Sequence, residues 1–246
     1  MSTPALSVVI PAFNEERRLP STLRSVVDFL RPRGASFEVL VVDDGSTDGT
    51  AAVVGVFADP AVRLVGSPVN RGKGHAVRTG MLAATGDRRL MTDADLSTPM
   101  TDLPALEEAL ARGCDIAIGS RALPGSKVEL RQGAFREGMG RVFNLGVRLL
   151  LLKDLHDTQC GFKLFTAEAA HSAFSASRLD GFSFDVEALV VARQHGLLVT
   201  EVPVTWRNDT ATRVGLAKGA RAFTDLLRIR AMRNRGEYAP TSALGR

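Results

Sequence analysis

Apolar residues come in short blocks along this chain, separated by longer stretches in which apolar positions recur at helical spacing. The blocks Leu6–Pro11, Phe37–Asp43, Val62–Gly66, Arg88–Asp93 and Asp115–Gly119 predict strands. Between them, Ser21–Leu30, Thr50–Phe57, Gly74–Ala84 and Asp102–Arg112 predict helices. A run such as Val39-Leu40-Val41-Val42 does not alternate, so it predicts a strand covered on both faces, as in a parallel sheet. Strand–helix alternation predicts an α/β fold, with a mostly parallel central sheet sandwiched by helices. Ligands of such sheets bind beyond the carboxyl ends of the strands. The polar residues that end these strands are therefore the candidates for chemistry.

The rhythm changes after Ser120. Residues 121–156 predict a basic amphipathic helical insertion, Gly161–Phe165 and Val199–Trp206 further strands, and Phe184–His195 and Lys218–Arg235 further helices. The expected organisation is one domain over residues 1–236 and a flexible tail over 237–246. Hydrophobic residues at 45% and charged residues at 24% suit a chain with a substantial core and exclude the disordered class. No block approaches the ~20 apolar residues that span a bilayer; the greasiest, Val142–Leu152, is interrupted by Arg148. Met1–Leu6 lacks the basic-then-apolar order of a secretory signal, so a cytoplasmic location is expected. Cys114 and Cys160 show no ligand or disulfide spacing and are expected to be small buried apolar groups.

Net charge is only +4, yet it is unevenly placed. Residues 121–153 carry seven Lys/Arg against Glu129 and Glu137, and residues 207–235 carry eight against Asp209 and Asp225. Two such clusters predict a basic face that meets a phosphate-rich partner. No nucleic acid is expected. With Phe135, Met139, Phe143 and Leu149–Leu152 beside Arg141, Arg148 and Lys153, the insertion suits a helix lying on an anionic membrane surface. A helix covering the sheet, a homodimer interface or a contact with a separate membrane protein would use the same pattern.

Three strand ends carry candidate chemistry. The first reads Pro11-Ala12-Phe13-Asn14-Glu15-Glu16 and the second Asp43-Asp44-Gly45-Ser46-Thr47-Asp48-Gly49-Thr50. Carboxylates there could accept from a base or a ribose hydroxyl, or could simply build a turn and a helix cap. The fourth strand ends in Asp93-Ala94-Asp95, whose i, i+2 carboxylates suit Mg2+ or Mn2+ with a diphosphate completing the shell. One strand–helix unit earlier, Asn70-Arg71-Gly72-Lys73-Gly74 offers Arg71 and Lys73 to phosphates. The glycine fingerprints of dinucleotide-binding and P-loop proteins are missing, so dehydrogenases and P-loop NTPases are disfavoured. His75, His156, His171 and His195 show no zinc spacing.

Together, Ser7–Glu16, Val41–Thr50, Asn70–Gly74 and Asp93-Ala94-Asp95 resemble the inverting family 2 glycosyltransferases of GT-A fold. Gly119-Ser120-Arg121, Asp157–Phe165, Phe184-Asp185-Val186-Glu187 and Val202–Trp206 are similar to the dolichyl-phosphate β-glucosyltransferase branch, and more loosely to dolichyl-phosphate mannose synthases. The resemblance implies transfer of a hexose from a nucleotide-sugar, UDP-glucose by the branch, to a dolichyl or polyprenyl phosphate at the cytoplasmic face of a membrane. GDP-mannose as donor, a soluble acceptor and a non-catalytic nucleotide-sugar-binding module are the alternatives. By the same resemblance Pro11, Ala12, Glu15 and Asp44 line the nucleoside pocket, Asp93 contacts ribose or metal, and Asp95 binds metal. Arg121, Arg136 and Arg207 correspond to phosphate-holding positions and Gln159 lies beside the sugar. Asp185 is implied as a base or a sugar-orienting carboxylate, against its bland reading as a helix N-terminal acid. Two departures stand out: Leu96-Ser97 follows the Asp-x-Asp where relatives often have Gln, and Asp209–Arg213 follows Trp206 where the branch usually has Gly-Ser-Lys.

Overall fold

A computed structural model describes residues 3–130, 134–207 and 216–240; among these, residues 130, 134–137, 141 and 216–221 are described by their backbone alone. Seven strands form the central sheet: β1 (Leu6–Ala12), β2 (Phe37–Asp44), β3 (Val62–Ser67), β4 (Arg88–Thr92), β5 (Ile116–Ser120), β7 (Phe162–Thr166) and β8 (Val199–Pro203). Their order is β3-β2-β1-β4-β7-β5-β8. All neighbours pair parallel except β7, which runs antiparallel between β4 and β5. A mostly parallel sheet is what the unbroken apolar runs predicted, and Val8, Val9, Ile10, Val39, Leu40 and Val41 are fully buried.

Helices cover both faces. On one side α1 (Leu19–Leu30) and α4 (Leu103–Ala111) close a core with Val8, Ile10, Leu90, Phe162 and Leu164. On the other, α3 (Lys73–Ala83), α6 (Ala167–Ala176) and α7 (Phe184–Gln194) pack with Val9, Met91, Ile118 and Phe165. Short α2 (Thr50–Phe57) follows β2. The sheet's alternation thus sends Phe162 and Leu164 to the first core and Phe165 to the second.

The later part of the chain departs from the sequence reading in four places. The insertion is not helical throughout: it contains β6 (Lys127–Leu130) before α5 (Ala134–Leu150). Val199–Trp206 is not one strand. It breaks at Val204 into β8, in the main sheet, and β9 (Thr205–Arg207), which pairs with β6 in a separate two-stranded sheet. Helix α6 had not been anticipated, although Thr166 caps it by accepting from the Ala169 N–H. The expectation of a loose tail from residue 237 fails over 237–240. Tyr238 is 1% exposed and donates to Glu187 at 2.7 Å, so the chain is tied down past the end of α8 (Leu216–Asn234).

Helices α5 and α8 pack together through an edge-on Phe143–Phe223 contact, 5.6 Å between centroids. One face of α5 is core, with Phe143 and Val147 buried and Leu151, Leu152 and Leu155 following. The other is not: Val142, Leu145 and Leu149 are exposed, as is Leu227 on α8. Among the described residues no helix is long and apolar enough to cross a membrane.

Candidate active site

The carboxyl ends of β1, β2 and β4 bring three loops to one edge of the sheet. Because β7 is antiparallel, its entry segment, Asp157–Gly161, arrives at that same edge. Reversal of one strand therefore places the Gln159 segment beside Asp93. The Asp93 N–H donates to the Gly161 carbonyl at 3.2 Å.

The first two loops are laced to each other. Asn14, held at φ 57°, donates from its N–H to Ser46 Oγ (2.9 Å) and accepts from the Thr47 N–H (2.9 Å). The Glu15 N–H donates to Thr50 Oγ1 at 2.8 Å, and its carboxylate pairs with Arg18 at 3.0 Å. Asp43 accepts from the Ser46 N–H and Asp48 from the Thr50 N–H, so these two acids build the turn and start α2. Pro11 and Ala12 are buried at the end of β1, beside Val42 and Asp43.

Asp44 ends β2 beside the turn that leads into α3. Its carboxylate, 3% exposed, accepts from the N–H groups of Arg71 (3.1 Å) and Gly72 (2.7 Å), fixing the turn that starts α3. Gly72 sits at φ 116°, and a Cβ there would lie 2.4 Å from the Asp180 carbonyl oxygen, so only glycine fits. The exposed Arg71 guanidinium lies 3.5 Å from Asp180. Lys73 points to the site: its Nζ lies 2.6 Å from Asp93 Oδ1 and over the Phe184 ring at 5.9 Å. Burial disfavours its charge, but Asp93, Asp185 and Asp95 outweigh that and hold its pKa above the ordinary lysine range.

Asp93 and Asp95 open a loop in which the next residue, Leu96, adopts φ 45°, an unusual conformation for a non-glycine residue. Asp95 accepts from the Ser97 N–H at 2.9 Å. Burial, and then the neighbouring Asp93 charge, raise its pKa. Two crowded carboxylates of this kind are a hard, oxygen-only donor set whose repulsion a divalent cation relieves. Among the described residues no group of three His, Cys, Asp or Glu is placed to hold a metal. The residues therefore fit a cation bound by two carboxylates and completed by ligand or water oxygens, with Ser97 hydrogen-bonded to Asp95 through its backbone and its side chain. Close packing matters here too: a Cβ on Gly161 would sit 2.0 Å from Asp93 Oδ2.

Arg121 is held rather than free. Asp157 accepts from its Nε at 2.6 Å, its Nη2 at 2.8 Å and its backbone N–H at 3.0 Å, and the guanidinium stacks on Trp206 at 5.3 Å. Burial opposes that charge, yet Asp157 raises the arginine's pKa further still. Arg207 anchors β9 by donating its N–H to the Ser97 carbonyl at 2.8 Å, while its exposed guanidinium pairs with Glu129. The side chain of Arg136 lies outside the described residues. Gln159 is half-buried, its N–H donating to Asp157 at 3.2 Å. Cys160 is buried, with its thiol pushed up to about 11 by burial and by Asp157, and is therefore an uncharged packing group as expected. A cleft of about 700 Å3 between α1 and α2, lined by Arg17, Arg24, Val53 and Phe57, contains none of the strand-end carboxylates at 44, 93 or 95.

One member of the site escaped the sequence reading. Lys163 Nζ donates to Asp185 Oδ1 at 2.6 Å and to the Cys160 carbonyl at 2.5 Å, and its side chain is 2% exposed. Asp185, in the first turn of α7, is itself 5% exposed. Burial raises the Asp185 pKa, with Lys163 and Lys73 pulling the other way. A lysine inside an apolar strand, Phe162-Lys163-Leu164-Phe165, was the available signal.

Residues 7–174 match the family described as Glycosyl transferase family 2. The chain is 37% identical over 219 residues to a human dolichyl-phosphate beta-glucosyltransferase, spanning 83% of this chain and 68% of the relative. It is 34% identical over 240 residues to the dolichyl-phosphate beta-glucosyltransferase of Dictyostelium discoideum, spanning 92% and 73%. Among solved structures, mannosyl-3-phosphoglycerate synthase from Rubrobacter xylanophilus aligns with TM-score 0.69 at 18% identity, covering 99% of this chain and 77% of that one. Glucosyl-3-phosphoglycerate synthase from Mycobacterium tuberculosis, in complex with Mn2+ and uridine-diphosphate-glucose, aligns with TM-score 0.66 at 22% identity, covering 99% and 82%. At those identities the likeness establishes a shared GT-A glycosyltransferase architecture. With the family model matching residues 7–174 and relatives 34–37% identical over most of the chain, this chain belongs to glycosyl transferase family 2.

Proposed function

We propose that the chain transfers glucose from UDP-glucose to a polyprenyl or dolichyl phosphate, with inversion, at a membrane surface. The observation that carries the reading is the meeting of Asp93, Asp95, Lys73 and the Gln159–Gly161 segment at one sheet edge. Relatives named for dolichyl-phosphate glucosylation support the donor and acceptor.

Asp93 and Asp95 would hold Mg2+ or Mn2+, which supplies charge neutralisation for the departing diphosphate. Lys73, already beside Asp93, adds a second cation on that side. A phosphate-monoester acceptor has a second pKa of about 6 and is largely dianionic at neutral pH. Its oxygen attacks the anomeric carbon, the bond to UDP breaks, and the electron pair leaves on the UDP β-phosphate. That nucleophile needs alignment more than a strong base. Asp185 is buried and bonded to Lys163, so we assign it orientation of the sugar side of the site rather than proton abstraction. Arg121, clamped by Asp157 and Trp206, offers a fixed cation at the rim for an acceptor phosphate, and Arg207 lies on the neighbouring strand β9.

The outer face of α5 and α8 is the surface we assign to the membrane. Val142, Leu145, Leu149 and Leu227 are exposed there with Arg148 and Arg228, an apolar stripe with cations that suits an anionic headgroup layer. The basic positions Arg141, Arg213, Lys218 and Arg221 belong to the same expectation, but their side chains lie outside the described residues.

Incubation of the chain with radiolabelled UDP-glucose or GDP-mannose, Mn2+ and polyprenyl phosphate tests the reading. Label should pass from UDP-glucose into the lipid phase. Labelling from GDP-mannose alone would replace the donor, and label found only in water-soluble products would replace the acceptor.

A further inference from the structure

Lys163 occupies a position where an apolar residue would be expected. It is the second residue of β7, opposite Met91 on β4 and Ile118 on β5, and between Phe162 and Leu164 in sequence. Strand alternation sends it to the same side of the sheet as Phe165, toward α3, α6 and α7. A buried ammonium paired with a buried carboxylate confers little net stability, because desolvation offsets the attraction. Retaining this pair needs another reason.

The bonds of Lys163 supply one. Its Nζ reaches back to the sheet edge and donates at once to Asp185 Oδ1 (2.6 Å) and to the Cys160 carbonyl (2.5 Å). The first partner sits on the opening turn of α7, and the second is the peptide between Gln159 and Gly161, whose next carbonyl accepts from the Asp93 N–H. One ammonium therefore sets the distance between the Asp185 helix and the loop that carries Gln159, next to the Asp93 carboxylate. With its side chain 2% exposed, Lys163 cannot itself meet donor or acceptor.

We propose that Lys163 is a positioning residue for glucosyl transfer, acting through Asp185 and the Gln159–Gly161 segment as one unit. The proposal rests on the glucosyl-transfer reading above. It differs from a merely structural role in what it predicts for turnover. Lys163→Met should lower kcat at least about 100-fold, the scale of a misplacement near 1 Å, while KM for UDP-glucose changes little. Asp185→Asn should do the same.

Removing the lysine alone strands a buried carboxylate and can unfold the chain. The double variant Lys163→Met with Asp185→Asn removes both charges and should fold, as judged by thermal melting and by UDP binding in Mn2+ measured calorimetrically. Its kcat should fall by about as much as either single variant's, because residues that act as one unit give non-additive losses. If the two losses multiply, Lys163 acts independently of Asp185 and the inference is wrong. If folded, UDP-binding Lys163→Met keeps the wild-type kcat, the pair is only structural and the inference is again wrong. A wild-type chain that neither binds nor turns over UDP-glucose would instead overturn the glucosyl-transfer reading, and this inference with it.

Discussion

Asp157 grips the Arg121 guanidinium side-on, accepting from Nε and Nη2 at 2.6 and 2.8 Å, with 2% of its own side chain exposed. Burial alone would push the Asp157 carboxyl up, but the charge and hydrogen bonds of Arg121 bring it below its ordinary value of 3.8. Breaking a buried pair by removing one partner costs about 3–5 kcal/mol. Asp157→Asn should therefore destabilise the chain on that scale in urea unfolding at pH 7. A carboxylate whose folded pKa is depressed contributes stability above its unfolded pKa and loses it as pH falls through the folded one. The gap between wild type and Asp157→Asn should hold constant above about pH 4 and shrink toward stronger acid. A gap that widened on acidification would contradict the pairing.

Metal dependence follows from the crowding of Asp93 and Asp95. Their repulsion raises the Asp95 pKa once burial has done so, and a divalent cation with a diphosphate relieves it. UDP binding measured by calorimetry should weaken at least about tenfold, roughly 1.4 kcal/mol, on adding EDTA or in Asp95→Ala. Equal affinity with and without Mn2+ would remove the cation from the donor site.

Gly161→Ala tests the contact between the Gln159 segment and the first metal carboxylate. A Cβ there would meet Asp93 Oδ2 at 2.0 Å and Cγ at 2.5 Å, so the carboxylate or the strand entry must move. Overpacking of this kind costs about 1–3 kcal/mol. The larger effect should fall on Mn2+-dependent UDP binding, which calorimetry should show reduced well beyond any shift in melting temperature. Unchanged binding would mean that Asp93 has room to turn aside.

The first half of the fold was legible because each element announces itself locally. Val39–Val42 reads as a doubly covered strand, and Asp93-Ala94-Asp95 falls where the strand β4 ends. What escaped depends on partners distant in sequence. The direction of β7 is set by its place between β4 and β5, and nothing in Phe162–Thr166 encodes it. The break at Val204 separates residues that read as a continuous run, because β9 leaves for β6. That the Asp44 oxygens accept from the N–H groups of a turn 27 and 28 residues later could not be read locally. The Lys163–Asp185 pair spans 22 residues and only the oddity of a lysine in an apolar strand hinted at it.

The C-terminal segment was misread for the same reason. Tyr238 falls in the segment expected as a flexible tail, yet its hydroxyl donates to Glu187, which also accepts from the N–H groups of Arg178 (3.0 Å) and Leu179 (2.7 Å). Glu187 is fully buried, and burial raises its pKa. Tyr238→Phe leaves that carboxylate one donor short and should cost about 1–3 kcal/mol. A raised carboxyl contributes most below its unfolded pKa and loses that contribution as pH rises through the folded one. Loss of the tyrosine donor favours the neutral acid further, so the deficit in chemical denaturation should be larger at pH 7 than at pH 4. Equal stability of the two chains at both pH values would detach Tyr238 from the core.

Membrane docking through α5 and α8 makes the last prediction. Leu145 and Leu149 are 54% and 68% exposed and Leu227 is 60% exposed, while their neighbours Phe143, Val147, Leu226 and Ile229 are buried. Each helix thus has an inner face spent on the core and an outer face with no described cover. Arg148 and Arg228 stand on the outer faces. Apolar insertion and attraction to an anionic leaflet should act together, about 1 kcal/mol for each cation near the surface. In vesicle sedimentation the chain should pellet with phosphatidylserine-containing vesicles and less with neutral ones, and salt should weaken the association, because screening shortens to about 8 Å at physiological ionic strength. Arg148→Glu with Arg228→Glu should reduce pelleting several-fold, and Leu145→Ser with Leu149→Ser should reduce it even at low salt, where charge attraction is strongest. UDP binding should survive both changes, since these residues lie on outer helix faces and not among the strand-end loops. If donor binding is lost with membrane binding, the α5–α8 face is a wall of the active site. If pelleting is unchanged in both variants, the stripe is ordinary surface and docking must use another part of the chain.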